Sequence, residues 1–185
     1  MGKHIYVDNS NVWIEGKYHS AVHKGIIGDV DDAHANKLCD MQWRYDFGKL
    51  LLTVAGDVAS IKKAVLFGSK PPYNDSLWNT AESVGFEVKT LDRNAGGKEK
   101  GVDTGFVVRI MTDLYGKNIE DDDEFVIVAG DADYIPVVEA IKSRNLKVMI
   151  AFWNNIANGL KEKADEFVDL NLHMDEISYI TTEYK

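Results

Sequence analysis

The feature that most constrains this chain is the form of its apolar runs, which are short, rich in β-branched residues, and separated by stretches with apolar positions every three or four residues. A strand covered on both faces reads as such a run, and the connection to its parallel neighbour is usually a helix. Strands are therefore expected at residues 4–7, 64–67, 87–91, 125–129, 147–151 and 167–170. Helices are expected over 43–55, 77–84, 102–115, 135–144 and 156–164. The alternation predicts an α/β fold, a doubly wound and mostly parallel sheet with right-handed crossovers.

At 185 residues the chain suits one domain with one core. No internal repeat or linker divides it. Residues 16–40 stand apart: polar, holding His19, His23 and His34 with two glycines near the middle, they read as an insertion or lid after the first strand. Residues 94–101 read as a loop, and residues 181–185 as a frayed tail.

The net charge of −9 argues against a broad basic surface for gripping nucleic acid. It leaves open a local cluster of carboxylates that engages phosphates through bound cations. No run approaches the ~20 apolar residues of a spanning helix, so no membrane partner is expected. The N-terminus lacks the apolar core of a signal peptide, and Cys39 is the lone cysteine, so a cytoplasmic setting is expected.

Four aspartates fall at one kind of position. Asp8 ends the first strand, Asp131 and Asp133 follow the strand FVIVAG, and Asp103 opens the helix near Val102. In a doubly wound sheet the C-terminal ends of strands and the N-termini of the following helices share one edge, where ligands bind. Carboxylates gathered there repel one another unless a cation offsets the charge. Oxygen donors without a Cys/His set suit Mg²⁺ or Mn²⁺ rather than zinc. Each residue has a plainer alternative, since Asp103, Asp131 and Asp133 could be caps or turn residues and Asp8 could close a strand. An aspartyl phosphatase would need a second aspartate two residues after Asp8, where Ser10 stands, and a metal-dependent adhesion motif would need serine at Val12.

The blocks IYVDNSNVWIEG, KGVDTGFVVRIMTDLY and VIVAGDADYIPVVEAIKSRNLKVMIAF, in this order, resemble the three signature blocks of NYN domains, in the LabA-like branch of the PIN-like nucleases. The resemblance covers the core from about residue 4 to residue 170 and leaves out residues 16–40. It implies a Rossmann-like sheet and a metal-dependent ribonuclease acting on RNA, most simply single-stranded. By position it implies Asp8, Asp103, Asp131 and Asp133 as metal ligands, Asn11 as a residue orienting a ligand or the substrate, and Ser10 as a further contact. Where many such domains place another aspartate six residues after Asp103, this chain has Arg109. Helical spacing allows its guanidinium to turn toward the acidic edge, as a substrate contact or in place of a second cation, and the alternative of a catalytically impaired RNA-binding or protein-binding module rests on Arg109.

Other residues carry weaker signals. Lys89, Arg93, Lys98 and Lys100 surround the loop that leads into Asp103 and could steer a phosphate backbone. Trp13, Tyr73 and Trp78 could stack on unpaired bases, with core packing the plainer reading for Trp78. His19, His23, His34 and Cys39 sketch a zinc site, though solvated lid histidines are the simpler expectation. The acidic run at 120–124 reads as a solvated loop. Nothing in the sequence decides the oligomeric state.

Overall fold

The computed structural model describes residues 1–69, 76–91 and 101–179. In chain order these form β1 (Lys3–Asp8), α1 (Asn9–His23), α2 (Val30–Asn36), β2 (Arg44–Tyr45), α3 (Phe47–Ala55), β3 (Ile61–Ser69), α4 (Ser76–Ser83), β4 (Glu87–Leu91), α5 (Val102–Leu114), β5 (Glu124–Val128), α6 (Ile135–Ser143), β6 (Lys147–Phe152), α7 (Asn158–Lys163), β7 (Glu166–Asp169), α8 (Met174–Ile177) and β8 (Ser178–Tyr179).

Six parallel strands lie in the order β4-β3-β1-β5-β6-β7. The chain builds outward from β1 through β3 to β4, then returns across α5 to lay β5, β6 and β7 on the other flank of β1. The direction of winding therefore reverses at β1, and the crevice beside its C-terminal end is the switch point. The fold is the expected doubly wound α/β sheet. No helix among the described residues is long and apolar enough to cross a membrane.

β1 is buried at every position, and its alternation decides what packs on each face. His4 and Tyr6 stack on Phe125 at 5.3 and 5.9 Å, and Tyr6 meets Phe106 of α5 edge-on. The Tyr6 hydroxyl donates to Asp113 Oδ2 at 2.9 Å. α5 offers Val102, Phe106, Ile110 and Leu114, one stripe at four-residue spacing, to the core.

α1 is held by a different cluster. The Trp153 indole donates to the Val12 carbonyl at 3.0 Å, and Trp43 meets Trp153 edge-on. A Cβ at position 16 would run into both rings, which accounts for Gly16. Residues 16–23 continue α1, and the chain then returns over it through α2. Buried Asp40 closes this return by accepting from Ser20 Oγ at 2.7 Å and Lys24 Nζ at 2.6 Å.

Two expectations need correction. The helix expected from residue 43 begins at Phe47, capped by Asp46, because Arg44–Tyr45 pairs antiparallel with Ser178–Tyr179. The acidic run at 120–124 is not wholly solvated, since Asp123 and Glu124 are buried. Asp123 accepts from the Gly2 and Glu120 amides, binds His4 Nε2 at 3.0 Å and pairs with Lys62 at 2.7 Å.

Burial alone would raise the Asp123 pKa, but these donors outweigh it and hold the carboxyl at about 2. A carboxyl depressed on folding contributes stability that is full above its unfolded pKa and fades as pH falls toward the folded value. Asp123→Asn is therefore expected to cost about 2 kcal/mol at pH 6, with the difference from wild type shrinking as pH drops from about 4 toward 2. Urea unfolding across that range checks it, and a gap that stays constant on acidification would refute the linkage.

Candidate functional site

The face of β1 that carries His4 and Tyr6 also carries Asp8, so Asp8 emerges at the switch point on the α5 side. It is 4% exposed. Its Oδ1 accepts from the Asn11 amide at 3.1 Å, capping α1, and its Oδ2 accepts from the Tyr134 hydroxyl at 2.7 Å. The first contact is the ordinary work of a cap. The second brings the start of α6 onto the end of β1.

Asp103 arrives from the opposite direction. Gly101 begins α5 with φ +83, a left-handed conformation that suits glycine, and no side chain caps this helix. Asp103 is therefore not a cap. Its Oδ1 lies 3.5 Å from the same Tyr134 hydroxyl. That hydroxyl has one proton, and the shorter distance assigns it to Asp8. Asp131 is exposed and caps the 3₁₀ turn Ala132–Tyr134 by accepting from the Asp133 amide at 3.0 Å.

Tyr134 thus stands among three aspartates. Burial raises its pKa, and the charges of Asp8, Asp103 and Asp131 raise it further, so the phenol stays protonated as a donor. Sequence reasoning missed this residue. The available signal was a tyrosine rather than a phenylalanine beside two aspartates, since a buried tyrosine usually finds a partner for its hydroxyl. Asp133 is exposed in the middle of the same turn.

Two asparagines hold the edge in shape. Asn11 Oδ1 accepts from the Gly130 amide at 2.8 Å, which ties the exit of β5 to α1. A Cβ at Gly130 would strike the Phe152 ring. Asn9 accepts at 2.6 Å from the hydroxyl of Tyr45, whose pKa is raised by burial and then by the charge of Asp8. Ser10 is half-buried in the first turn of α1, and Trp13 is half-buried one turn on.

Arg109 does not turn toward the edge. Its Nε donates to Asp113 at 2.8 Å and its terminal nitrogens to Glu87, holding the Glu87 carboxyl down at about 2. Six residues make about 1.7 turns, which leaves Arg109 roughly 120° around α5 from Asp103 and about 9 Å along its axis. Asp113, four residues further, shares its face instead.

The histidines do not form a joint site. His23 bonds Asp175, His34 bonds Glu15, and His19 is buried against Trp153 with Nε2 on Asn155, so it is not a solvated lid residue. Trp78 is buried against Gly68, as core packing requires. Lys89 pairs with Glu87. Tyr73, Arg93, Lys98, Lys100 and residues 181–185 lie outside the described residues.

Among the described residues the carboxylates whose oxygens approach most closely as a trio, within 4.8 Å of one another, are Glu120, Asp122 and Asp123, at the opposite end of the sheet. There Asp123 is already engaged by four donors and Asp122 by the terminal amine. At the switch point, by contrast, no Lys or Arg among the described residues pairs with Asp103, Asp131 or Asp133. An all-oxygen donor set that includes a buried carboxylate fits a hard divalent cation that retains several waters.

The family model described as NYN domain matches residues 9–171. A protein of unknown function from Vibrio parahaemolyticus RIMD 2210633, known from its crystal structure, superposes with a TM-score of 0.67 over 96% of each chain at 19% identity, a likeness of fold. A search of curated proteins found no match.

The Tyr134–Asp8 bond can be measured directly. Tyr134→Phe leaves a buried carboxylate oxygen without its donor and is expected to cost about 1–3 kcal/mol in urea unfolding without divalent ions. In an Asp8→Asn background, which keeps the cap of α1, the same change should cost clearly less. Equal costs in both backgrounds would show that the hydroxyl does not serve Asp8.

Proposed function

This chain belongs to the NYN domain family, a group of nuclease-like domains, and from that premise we propose that it is a metal-dependent ribonuclease hydrolysing phosphodiester bonds of single-stranded RNA in the cytoplasm. Its three sequence blocks support placing it in the LabA-like branch of the PIN-like nucleases. The observation that carries the proposal is the convergence of Asp8 and Asp103 on one tyrosine hydroxyl at the switch point, that of Tyr134 in the turn which Asp131 caps.

Asp8, Asp103 and Asp131 would hold a Mg²⁺ or Mn²⁺ ion, with Asp133 as a further oxygen donor. When bound, such an ion lowers the pKa of a water and offsets charge on the phosphate. The residues of the chain set the stage for that chemistry. Tyr134 donates to one oxygen of Asp8 and fixes how the carboxylate is turned. Asn11 keeps the turn that carries Asp131 and Asp133 against α1. Ser10 is a proposed substrate contact on the same turn of helix, and Lys98 and Lys100 are proposed to attract the phosphate backbone from the segment preceding Asp103.

The alternative of an impaired binding module drew its support from Arg109. That residue is committed to Glu87 and Asp113, so it neutralises no carboxylate at the switch point and is no longer proposed as a substrate contact.

Purified protein is expected to cleave single-stranded RNA with Mg²⁺ or Mn²⁺ and to stop with a chelator. Asp131→Asn keeps the cap of the 3₁₀ turn but removes charge, and should lower cleavage by about a hundredfold or more. Undiminished cleavage by this variant across a range of Mn²⁺ concentrations would overturn the assignment.

Binding of the cation to the folded state alone should also raise the melting temperature by mass action. Wild type is expected to gain stability with increasing Mn²⁺, and Asp8→Asn/Asp103→Asn to gain much less. A flat response in wild type, or an equal climb in the double variant, would place the ion elsewhere, the Glu120, Asp122 and Asp123 group being the first place to look.

A further inference from the structure

In this acidic protein two cations among the described residues share one aromatic ring. Lys24, Lys62, Lys63, Arg109, Lys142 and Lys163 each face a carboxylate within ion-pair distance. Lys17 and Arg44 make no such pair among the described residues, yet both lie over the indole of Trp13. Lys17 Nζ is 4.1 Å and Arg44 Cζ 5.2 Å from the ring centroid. An aromatic face attracts cations, but it carries no net charge to neutralise them.

The group is also held in place. The Trp13 indole donates to the Trp43 carbonyl at 3.4 Å, and the Arg44 guanidinium donates to the carbonyls of Met41 and Trp43 at 3.0 and 2.7 Å. Lys17 follows Trp13 by four residues on α1, so the two share a helix face. The neighbour of Arg44 in β2, Tyr45, is bonded to Asn9, the residue next to Asp8. Trp13 lies five residues along α1 from Asp8, roughly 7 Å of axial rise and about the reach of one nucleotide.

Resting on the nuclease reading above, we propose that Trp13, Lys17 and Arg44 form a binding platform for single-stranded RNA, holding the phosphodiester backbone and a base next to the one presented to the acidic edge. Lys17 and Arg44 neutralise phosphate charge, and the edge or face of the indole left free takes the base. A flat aromatic flanked by cations is sequence-tolerant, because every base has a stacking face. The platform supplies locally the positive charge that a net charge of −9 withholds from the surface as a whole.

The test is equilibrium binding of a fluorescein-labelled single-stranded oligouridylate, read by anisotropy in EDTA across a salt series, so that affinity is measured whether or not the chain hydrolyses RNA. Wild type should bind. Trp13→Ala should weaken binding about tenfold, and Lys17→Gln/Arg44→Gln should weaken it similarly while reducing the slope of log affinity against log salt by about 1.4, two phosphates' worth. Arg44 is exposed and Lys17 half-buried, and circular dichroism melts verify that the variants fold.

A wild type that binds in EDTA with this dependence but cleaves nothing in Mn²⁺ would support the platform and refute the nuclease reading. Conversely, a wild type that cleaves RNA while the three substitutions leave affinity and salt slope unchanged would overturn the platform and spare the nuclease. Absence of oligouridylate binding by wild type would overturn it too. Equal binding of polyglutamate, lost with the same substitutions, would assign the patch to an acidic polypeptide and also overturn it.

Discussion

Every residue of β1 is buried, and the three side chains on its α5 face all end in polar groups that have left water. An unsatisfied group of this kind costs about 1–3 kcal/mol, whereas a satisfied one contributes about 1. The surroundings of the strand are built to meet that demand. His4 is met by Asp123 from the loop before β5, Tyr6 by Asp113 near the end of α5, and Asp8 by Tyr134 at the start of α6. Three consecutive inward positions thus fix three separate segments. One ring nitrogen of His4 is left buried without a partner, a cost that the bond to Asp123 must offset.

The same demand makes the two ends of the sheet chemically different although both are rich in carboxylates. At the N-terminal end the acids are absorbed by the fold, Asp123 by two amides, a histidine and Lys62, and Glu124 by Lys3. At the C-terminal end Asp8 and Asp131 are met, among the described residues, by neutral donors, the amide of Asn11 and the hydroxyl of Tyr134 on Asp8 and the amide of Asp133 on Asp131. Closeness of oxygens alone favours the N-terminal trio. Charge balance favours the switch point, because Lys62 already holds Glu120 and Asp123 at the N-terminal end, whereas no Lys or Arg among the described residues pairs with Asp103, Asp131 or Asp133. Fold position points the same way, since ligands of doubly wound sheets lie beyond the C-terminal ends of the strands.

The six strands were legible in the sequence because strands buried on both faces have a composition of their own, and the aspartates were legible because strand ends follow once strands are placed. What escaped required knowledge of contacts between distant segments. The periodicity from residue 43 runs unbroken through Arg44 and Tyr45, and only their pairing with Ser178 and Tyr179 makes them a strand. In the run at 120–124, burial falls on Asp123 because of its place beside Gly2 and His4, a relation of strand order rather than of local composition. Tyr134 is a core residue, and its hydroxyl acquires a role only because Asp8 is brought to it. Arg109 is a different case. Its angular offset from Asp103 follows from helix geometry alone, so the sequence already held the information that it faces away.

The proposed binding of RNA by an acidic chain must reconcile two terms of opposite sign. Its net charge of −9 repels a polyanion at long range, but that repulsion is screened over about 8 Å at physiological salt, whereas contact pairs at the site are screened much less. Local arrangement therefore outweighs net charge once the partners meet. Several cations here are spent within the protein: Lys62 and Lys63 brace the loop and helix on the α5 face, and Arg109 braces α5 against β4. Lys17 and Arg44 escape this use because they face an indole in place of a carboxylate. A cation held by an aromatic ring is positioned without being neutralised, and so keeps its charge available to an anionic ligand. On the proposed platform that charge sits on the helix that Asp8 caps and on the strand whose Tyr45 is bonded to Asn9, next to Asp8.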